Sequence, residues 1–309
     1  MQMPDLVAAP VRVRAPATSA NLGPGFDSLG LSLARYDEVQ ASLKSRALSV
    51  EIAGEGEDIL PRDERHLVIR AMRATFDFLG APQPGLRVTC CNSIPQGRGL
   101  GSSSAAIVAG ILLAEGLVEG ASLAATESLA LATELEGHPD NVAACLLGGF
   151  TIAWMPALGA IGPRSARAVS LAVHPDVRPV VFIPPHPLST EMARRLLPET
   201  VPHRDAARNS GRAALLAAAL TQHPDELLAA TEDRLHQSFR RPAMRDTLEL
   251  VDALRAAEVA AAVSGAGPSV LALGTSSRPV DILAWCPAGW RAQELAVDLN
   301  GAGTVPTPN

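Results

Sequence analysis

A glycine-rich run that leads directly into an apolar helical segment constrains this chain more than any other feature. Residues 95–106 read PQGRGLGSSSAA, with glycine at every second position from Gly97 to Gly101. Glycine adopts positive φ angles and lets the backbone approach a ligand closely. The helix predicted over 102–117 presents free N–H groups and the positive end of its dipole to a polyphosphate. The alternative is a tight turn in which Ser102 merely caps the helix.

Two familiar nucleotide-binding patterns are excluded at this loop. It lacks the GK[ST] ending of a Walker loop, and its GxGxG spacing differs from the GxGxxG dinucleotide fingerprint. By itself the loop therefore predicts an anion at a helix end. The three serines at 102–104 add hydroxyls that can bind phosphate oxygens or Mg²⁺.

Length and patterning predict two α+β domains. A chain of 309 residues with 47% hydrophobic and 19% charged residues is long enough for two globular cores. Strand-like and helix-like segments, among them one helix predicted over 224–239, mix without a fixed repeat, which favours an α+β layer in each half. The Pro/Gly/Ala-rich stretch 155–167 is the candidate junction, so we predict domains at 1–160 and 161–309.

Composition argues against several classes of partner. The net charge is −6 and no Lys/Arg cluster is interleaved with aromatic residues, so nucleic acid is not expected. The four cysteines fit neither a disulfide framework nor a CxxC metal site, which favours a reducing cytoplasm. The first residues lack the basic flank and apolar stretch of a signal peptide. The uncharged run 141–163 contains glycines and prolines, so we predict a buried helix end, a Gly-Gly turn and a strand rather than a membrane span.

Two loops of small and polar residues are further binding candidates. The loop 16–30 follows a strand predicted over 11–15, and Asn21 and Asp27 can present an amide and a carboxylate to one small ligand. A plain turn stabilised by these side chains is the alternative. The segment 263–270, VSGAGPSV, forms either a hairpin or a second small-residue loop over the phosphates.

Two segments carry charged candidates. In ELEGHPDN at 134–141, a carboxylate at a buried helix end suits Mg²⁺, which binds one or two carboxylates plus phosphates. A lone histidine is more often structural, but the polar groups around His138 favour a functional role. Thr190 and Arg194 are four residues apart and share a helix face. Arg240 is a second arginine whose fork suits a carboxylate or phosphate, whereas Arg195 and Arg241 are read as solvated.

Taken together and in this order, these segments resemble the GHMP kinases, the superfamily of galactokinase, homoserine kinase and mevalonate kinase. Residues 95–106 match its central motif PxxxGLGSSAA with one extra serine, and residues 264–269 match its C-terminal motif. APATSANLGPGFDSLGLSL at 15–33, EGHPDNVAACLLGGF at 136–150 and the segment near Thr190 are similar to the homoserine kinase branch. The resemblance covers the chain from residue 11 to about residue 273.

The resemblance implies a fold, a reaction and a set of ligands. It implies a ribosomal-protein-like N-terminal domain that binds ATP and a ferredoxin-like C-terminal domain. It implies Mg²⁺-dependent transfer of phosphate from ATP to the hydroxyl of L-homoserine, giving O-phospho-L-homoserine on the way to threonine. Homodimers are common in the family, so a homodimer is an expectation of the resemblance.

The resemblance also assigns roles to residues. Asp27 pairs with the substrate ammonium, Arg194 and Arg240 hold its carboxylate, and three residues add hydrogen bonds: Asn21, His138 and Thr190. Ser103 and Glu136 match the magnesium ligands, with Glu134 the weaker choice. Asp140, Asn141 and Arg194 are assigned to catalysis. The residues assigned to the nucleotide are Pro95, Gly97, Arg98, Gly99, Leu100, Gly101, Ser102, Ser103, Ser104, Gly265 and Gly267.

Several alternatives stay open at this point. Asp140 lies where some superfamily members place a catalytic aspartate, but homoserine kinases have been argued to work without a dedicated base. The chain departs from the family pattern at Ala144 and over 236–239, and the tail 285–309 has no counterpart. A mevalonate-type or shikimate-type kinase is the alternative enzyme, and a silent amino-acid or nucleotide sensor is the alternative class. Loss of the glycine loop or the magnesium carboxylate would indicate a sensor, but both are intact.

Overall fold

The computed structural model describes residues 3–45, 47–156, 165–277 and 280–306, which form two β-sheets with helices packed on them. The elements in chain order are β1 (Val11–Ala20), β2 (Leu29–Lys44), β3 (Ser49–Gly54), α1 (Leu67–Phe78), β4 (Gly85–Asn92), α2 (Ser102–Gly116), α3 (Ala125–Glu136), α4 (Pro139–Leu147), β5 (Phe150–Trp154), β6 (Arg167–Leu171), β7 (Val177–Ile183), α5 (Thr190–Arg195), α6 (His203–Thr221), α7 (Leu227–Ala230), α8 (Arg245–Ala256), β8 (Ala260–Val263), β9 (Val270–Thr275), β10 (Arg291–Glu294) and β11 (Gly303–Thr304). Within these ranges no helix combines the length and apolarity needed to cross a bilayer.

The first sheet carries the helix that follows the glycine-rich loop. Its strands run in the order β11-β1-β2-β4-β3, β5 also pairs with β2, and β6 pairs with β5. Helix α2 packs on β1 and against α1, α3 and α4. Because neighbours surround it, α2 is apolar on nearly all sides, as a fully buried helix must be. The helix therefore holds its N-terminus in a fixed position.

The second sheet has a ferredoxin-like strand order. Its four strands run β10-β7-β9-β8, and all neighbouring pairs are antiparallel. Numbered by their order along the chain, these strands are arranged 4-1-3-2. Helix α8 packs on β8 and β9 over a separate apolar cluster that includes Phe182, Val251 and Val270. Of the described residues between β9 and β10, those at Ile282–Trp285 form a short 3₁₀ helix.

The N-terminal binding loop is shorter than the sequence suggested. We predicted a strand over 11–15 and a loop over 16–30, but β1 continues to Ala20 and β2 begins at Leu29. The register between the two strands shifts between Pro16 and Ala17, so the strand passes the proline through an irregularity. The polar residues Thr18 and Ser19 are fully buried because α2 and α4 pack over this part of β1.

The single helix predicted over 224–239 is wrong. The structure has a 3₁₀ turn at Pro224–Glu226, the short helix α7, and a second 3₁₀ segment at Ser238–Ala243. Between them the carboxylate of Asp233 accepts the backbone N–H groups of Leu235, His236 and Gln237. An aspartate that captures nearby amides competes with the helical hydrogen-bond ladder, which explains the break.

Residues after the predicted junction contribute to both sheets. The boundary between 160 and 161 lies outside the described residues and stays a prediction. Beyond it, β6 continues the first sheet. The tail, which has no counterpart in the family pattern, adds β10 to the second sheet and β11 to β1 of the first, and β10 overlaps the start of a strand that the sequence predicts over 293–298. The carboxylate of Asp298 accepts the hydroxyl of Tyr36 at 2.7 Å, which fastens the tail to β2.

Candidate active site

The predicted binding segments surround one cleft of about 250 Å³. It lies between the glycine-rich loop, the start of α4, helix α5 and the loop that joins β8 to β9. The predicted site residues that line it are Asn21, Gly97, Arg98, Gly99, Gly101, Ser102, Ser103, Glu136, His138, Asp140, Asn141, Thr190, Arg194, Arg240 and Gly265. The predicted residues outside the lining are Asp27, Pro95, Leu100, Ser104 and Gly267. Of these, Leu100 is buried in the core.

The glycine-rich loop has the backbone conformation that its spacing predicted. Gly97, Gly99 and Gly101 have φ angles of 63°, 70° and 70°. Gly101 is the N-cap of α2, and no side chain caps this end. The alternative in which Ser102 caps the helix is therefore wrong, and the first-turn amides of α2 are left for a ligand at the edge of the cleft.

The second small-residue loop touches the first. The hydroxyl of Ser264 lies 2.6 Å from the carbonyl oxygen of Gly99 and 2.8 Å from the hydroxyl of Ser19. A Cβ atom added to Gly99 would lie 2.2 Å from the carbonyl oxygen of Ser264. The close backbone approach therefore requires glycine at position 99.

Arg98 lines the cleft, and its guanidinium donates hydrogen bonds to backbone carbonyl oxygens. Its Nε donates to the carbonyl of Pro184 at 2.9 Å and its Nη1 to that of Gln96 at 2.8 Å, and Pro185 accepts a further bond. These bonds fasten the glycine-rich loop to the chain that follows β7.

A carboxylate and two hydroxyls meet at the end of α3. The hydroxyl of Ser103 donates to Oε1 of Glu136 at 2.6 Å, and that of Ser104 lies 3.1 Å from the same oxygen. Glu134 is exposed on the same helix. One carboxylate with neighbouring hydroxyls is an all-oxygen donor set, the kind that Mg²⁺ prefers. One carboxylate and two hydroxyls supply only part of a coordination shell, so the set fits an ion whose remaining ligands are phosphate and water.

A buried hydrogen-bond chain lies beside this carboxylate. Nδ1 of His138 lies 2.6 Å from Oδ1 of Asp140, which is 2% exposed and also accepts the backbone N–H of Asn141 at 2.8 Å. The amide oxygen of Asn141 accepts the hydroxyl of Thr18 at 2.8 Å. Burial lowers the pKa of His138, but the hydrogen bond and charge of Asp140, with the charge of Glu136, outweigh it and the pKa is raised.

Asp27 and Arg194, which were predicted to bind opposite ends of the substrate, bind each other. The guanidinium of Arg194 donates to both carboxylate oxygens of Asp27, at 2.6 and 3.0 Å. Asp27 has a positive φ of 56°, and its backbone N–H donates to the amide oxygen of Asn21. Asn21 in turn donates to the carbonyl of Gly265. Thr190 begins the helix that carries Arg194.

Arg240 reaches the cleft from a buried position. It is 1% exposed, and its Nη1 lies 3.1 Å from Nδ1 of His236 and 3.3 Å from the carbonyl oxygen of Gly265. Its Nε is buried without a hydrogen-bond partner among the described residues. Burial, together with the charge of Arg194, lowers the pKa of Arg240 to about 10. The guanidiniums of Arg194 and Arg240 lie 5.5 and 5.6 Å from the ring centroid of Phe26.

A smaller cavity of about 70 Å³ adjoins the cleft and shares Gln96 and Ser102 with it. His66 lines this cavity, is 4% exposed, and has no hydrogen-bond partner at either ring nitrogen among the described residues. Burial lowers its pKa. Burial raises the pKa of Asp37, at the same cavity, to about 6, although the backbone N–H groups of Ser93 and Ile94 oppose the shift. The sequence analysis did not single out His66, because an isolated histidine before a helix carries no pattern.

Comparison with known proteins defines the class first. The model of the GHMP kinases N terminal domain matches residues 66–149. The fold is shared with mevalonate kinase of L. major, at a TM-score of 0.67 and 15% identity over 97% of this chain and 100% of that chain. The chain therefore has the GHMP kinase fold, including the ferredoxin-like second sheet that the family resemblance implied.

The relatives then define the family. A homoserine kinase of Streptomyces avermitilis is 54% identical over 308 residues, covering 99% of both chains. One of Mycobacterium tuberculosis is 47% identical over 91% of this chain and 90% of the relative. The crystal structure of homoserine kinase from Cytophaga hutchinsonii superposes with a TM-score of 0.80 at 26% identity, covering 99% of both chains. The chain belongs to the homoserine kinase family.

Proposed function

We propose that this enzyme transfers the γ-phosphoryl group of ATP to the side-chain hydroxyl of L-homoserine, giving O-phospho-L-homoserine for threonine biosynthesis. One observation carries the proposal: a single cleft is lined by the N-terminus of helix α2, with its free backbone amides, and by Arg194, whose guanidinium holds the carboxylate of Asp27 just outside the lining. The first feature suits a polyphosphate. The second suits a small zwitterion.

The charges at the substrate end match homoserine. Asp27 takes the ammonium, while Arg194 and Arg240 take the carboxylate through charge-assisted hydrogen bonds. The unpartnered Nε of Arg240 supports this role, because a buried donor without an acceptor is costly. Mevalonate and shikimate lack an ammonium, so neither would replace Arg194 at Asp27. Asn21 and Thr190 complete the lining.

The nucleotide occupies the other end. Its phosphates lie against the amides of 97–104 and under the loop that carries Gly265. Its base enters the small cavity at His66. The residues that the cleft and the small cavity share support this placement of the base. Glu136 and Ser103 are proposed to hold Mg²⁺. When bound, Mg²⁺ neutralises charge on the transferring phosphoryl group.

Phosphoryl transfer requires mainly positioning and charge neutralisation. We infer that Asp140 and Asn141 orient the substrate hydroxyl and the γ-phosphate, since Asp140 already accepts bonds from His138 and Asn141 at one oxygen. Arg194 orients the substrate from the other side. The variant Asp140→Asn tests for a dedicated base: turnover near the native rate and independent of pH would remove Asp140 from proton transfer.

A coupled assay of ADP release tests the function directly. We expect saturable turnover with L-homoserine and background rates with mevalonate and shikimate. Turnover with mevalonate or shikimate instead would assign a different GHMP kinase. Calorimetric binding of homoserine or Mg·ATP without turnover would assign a sensor.

The cellular setting is a further proposal. Cys90, Cys91, Cys145 and Cys286 are all free thiols, which supports a reducing cytoplasm and can be tested by cell fractionation. We also propose a homodimer. Exposed apolar side chains on β5 and β6, including Trp154 and Val169, support an interface. Light scattering of the purified protein tests it.

A further inference from the structure

His236 contacts three parts of the proposed substrate site without lining the cleft. Its Nε2 lies 2.8 Å from the carbonyl oxygen of Gly23, and its ring stacks on Phe26 with 5.1 Å between centroids. Its Nδ1 lies 3.1 Å from Nη1 of Arg240. Gly23 and Phe26 belong to the same loop as Asp27. His236 therefore connects the loop that carries Asp27 to Arg240, which lines the cleft.

The partners of the ring define which nitrogen carries the proton. A carbonyl oxygen only accepts hydrogen bonds and a guanidinium only donates them. Nε2 must therefore donate to Gly23, and Nδ1 must accept from Arg240, which describes a neutral imidazole. Asp233 faces Nε2 at 3.7 Å and Asp27 also contributes negative charge, but burial has the larger effect and lowers the pKa of His236.

Hydrogen bonds also fix the backbone at His236 and at its two neighbours in the chain. The carboxylate of Asp233 accepts the N–H groups of Leu235, His236 and Gln237 at 2.9, 3.1 and 2.8 Å. The side-chain oxygen of Gln237 then accepts the backbone N–H of Val263 at 2.5 Å, on the strand that precedes the second small-residue loop. A ring fixed by its backbone, by stacking and by two hydrogen bonds can set the position of a flexible arginine.

We propose that His236 is a positioning residue, a neutral hydrogen-bond acceptor that holds the guanidinium of Arg240 beside Phe26, where it meets the carboxylate of the substrate. The inference rests on the proposed function, because it assigns Arg240 to the homoserine carboxylate. His236 does not touch the reacting atoms and acts only through Arg240 and the loop that contains Phe26.

Two amide variants separate the two hydrogen bonds of the ring. The oxygen of asparagine can replace Nδ1 as the acceptor for Arg240, whereas the amide nitrogen of glutamine can replace Nε2 as the donor to Gly23. For His236→Gln we expect KM for homoserine to rise about tenfold, the loss of one hydrogen bond to a charged group, with kcat and KM for ATP near the native values. For His236→Asn we expect KM for homoserine to return towards the native value.

A second substrate distinguishes positioning from a general structural role. The amino alcohol that equals homoserine without its carboxylate should show the same kcat/KM with the native enzyme and with His236→Gln. Three results would each overturn the proposal. They are equal losses of kcat/KM with both substrates, equal effects of the two variants on KM for homoserine, and an unchanged KM for homoserine in His236→Gln. If the native enzyme fails to phosphorylate homoserine, the proposed function is wrong. If the native enzyme works and the variants behave alike, only the role of His236 is wrong.

Discussion

The two ends of the cleft are built in different ways. The phosphate end comes from one continuous stretch, in which three glycines with positive φ lead into the buried helix α2. The substrate end comes from side chains far apart in sequence: Asp27 after β1, Arg194 on α5 and Arg240 before α8. We expect the first end to bind its ligand through backbone atoms whose positions the fold determines. We expect the second to bind through charged side chains, two of which, Asp27 and Arg194, pair with each other in the structure.

This difference determines what each end can recognise. Backbone amides at a helix end recognise any polyphosphate and need no rearrangement. If the substrate binds as proposed, the Asp27–Arg194 pair opens, and the cost is small because the two side chains are 37% and 35% exposed and exposed ion pairs contribute about 0–1 kcal/mol. A zwitterion replaces both partners at once, whereas a ligand with a single charge leaves one of them unpaired. We therefore expect selectivity for the amino acid to come from the end that contains the Asp27–Arg194 pair.

The strongest test of the phosphate end is the variant Glu136→Gln. It keeps the shape of the side chain but removes the charge that Ser103 and Ser104 contact. We expect kcat to fall by about 10²–10³-fold, roughly 3–4 kcal/mol of transition-state stabilisation. Steady-state rates over a range of free Mg²⁺ concentrations measure the effect.

The matched control is Glu134→Gln, on the same helix but exposed. We expect native kinetics from it. Equal losses in both variants would mean that general charge near the cleft matters, and would remove Glu136 as the metal ligand.

The variant Gly99→Ala tests whether the backbone itself forms the phosphate end. The new Cβ would lie 2.2 Å from the carbonyl oxygen of Ser264 and sit at a φ of +70°. We expect a loss of about 3 kcal/mol in the free energy of unfolding, from overpacking and the left-handed backbone together. Urea denaturation measures it.

Gly120→Ala isolates the backbone contribution, because Gly120 has a φ of +69° and nothing within 4 Å of its added Cβ. We expect it to cost only about 1 kcal/mol. If the two variants are equally stable, the close contact between the small-residue loops is not part of the fold in solution.

At the substrate end, Asp27→Asn should act on one ligand only. The amide loses the charged hydrogen bond to the substrate ammonium and leaves Arg194 without its partner in the free enzyme. We expect KM for homoserine to rise about 30-fold, near 2 kcal/mol, while KM for ATP stays native. The control is Glu191→Gln, which breaks an exposed ion pair with Arg195 on α5, the helix that carries Arg194. We expect it to change neither KM for homoserine nor KM for ATP. An equal rise in both KM values would contradict the separation of the two ends.

The sequence predicted the glycine-rich turn and the helix after it in detail because local spacing alone determines both. Alternating glycines followed by an apolar segment specify a turn and a buried helix within one stretch, and the structure has both. The ferredoxin-like sheet was predicted through the family resemblance. A strand in the tail was predicted from local pattern, but the order of the strands in this sheet follows from long-range pairing that no local pattern records.

Prediction was weaker where tertiary contacts override local preference. The region 224–239 has the periodicity of a helix, but the carboxylate of Asp233 captures three amides and breaks it. That break places His236 under Phe26, a contact between residues 210 positions apart that spacing cannot reveal. The mutual pairing of Asp27 and Arg194 was also not predicted, because the family resemblance described each residue with its ligand.

The smallest expected effect concerns the cavity beside the phosphate end. Because the pKa of His66 is lowered in the fold, the unfolded chain binds its proton more readily. The stability that neutral His66 contributes is therefore fully present above pH 6.5, the ordinary value, and is lost as the pH falls towards the lowered folded pKa. We expect the native enzyme to lose more unfolding free energy between pH 7.5 and pH 5 than His66→Asn does.

The exposed His203 gives the matched control, and His203→Asn should keep the native pH dependence. Saturating Mg·ATP should protect the native enzyme at low pH more than it protects His66→Asn, because a base in the cavity would occupy the unpartnered ring nitrogens. If His66→Asn and the native enzyme show parallel curves with and without nucleotide, the cavity is only a packing defect. The backbone of the glycine-rich loop alone would then hold the nucleotide. One end of the cleft would bind only through backbone atoms and the other through charged side chains.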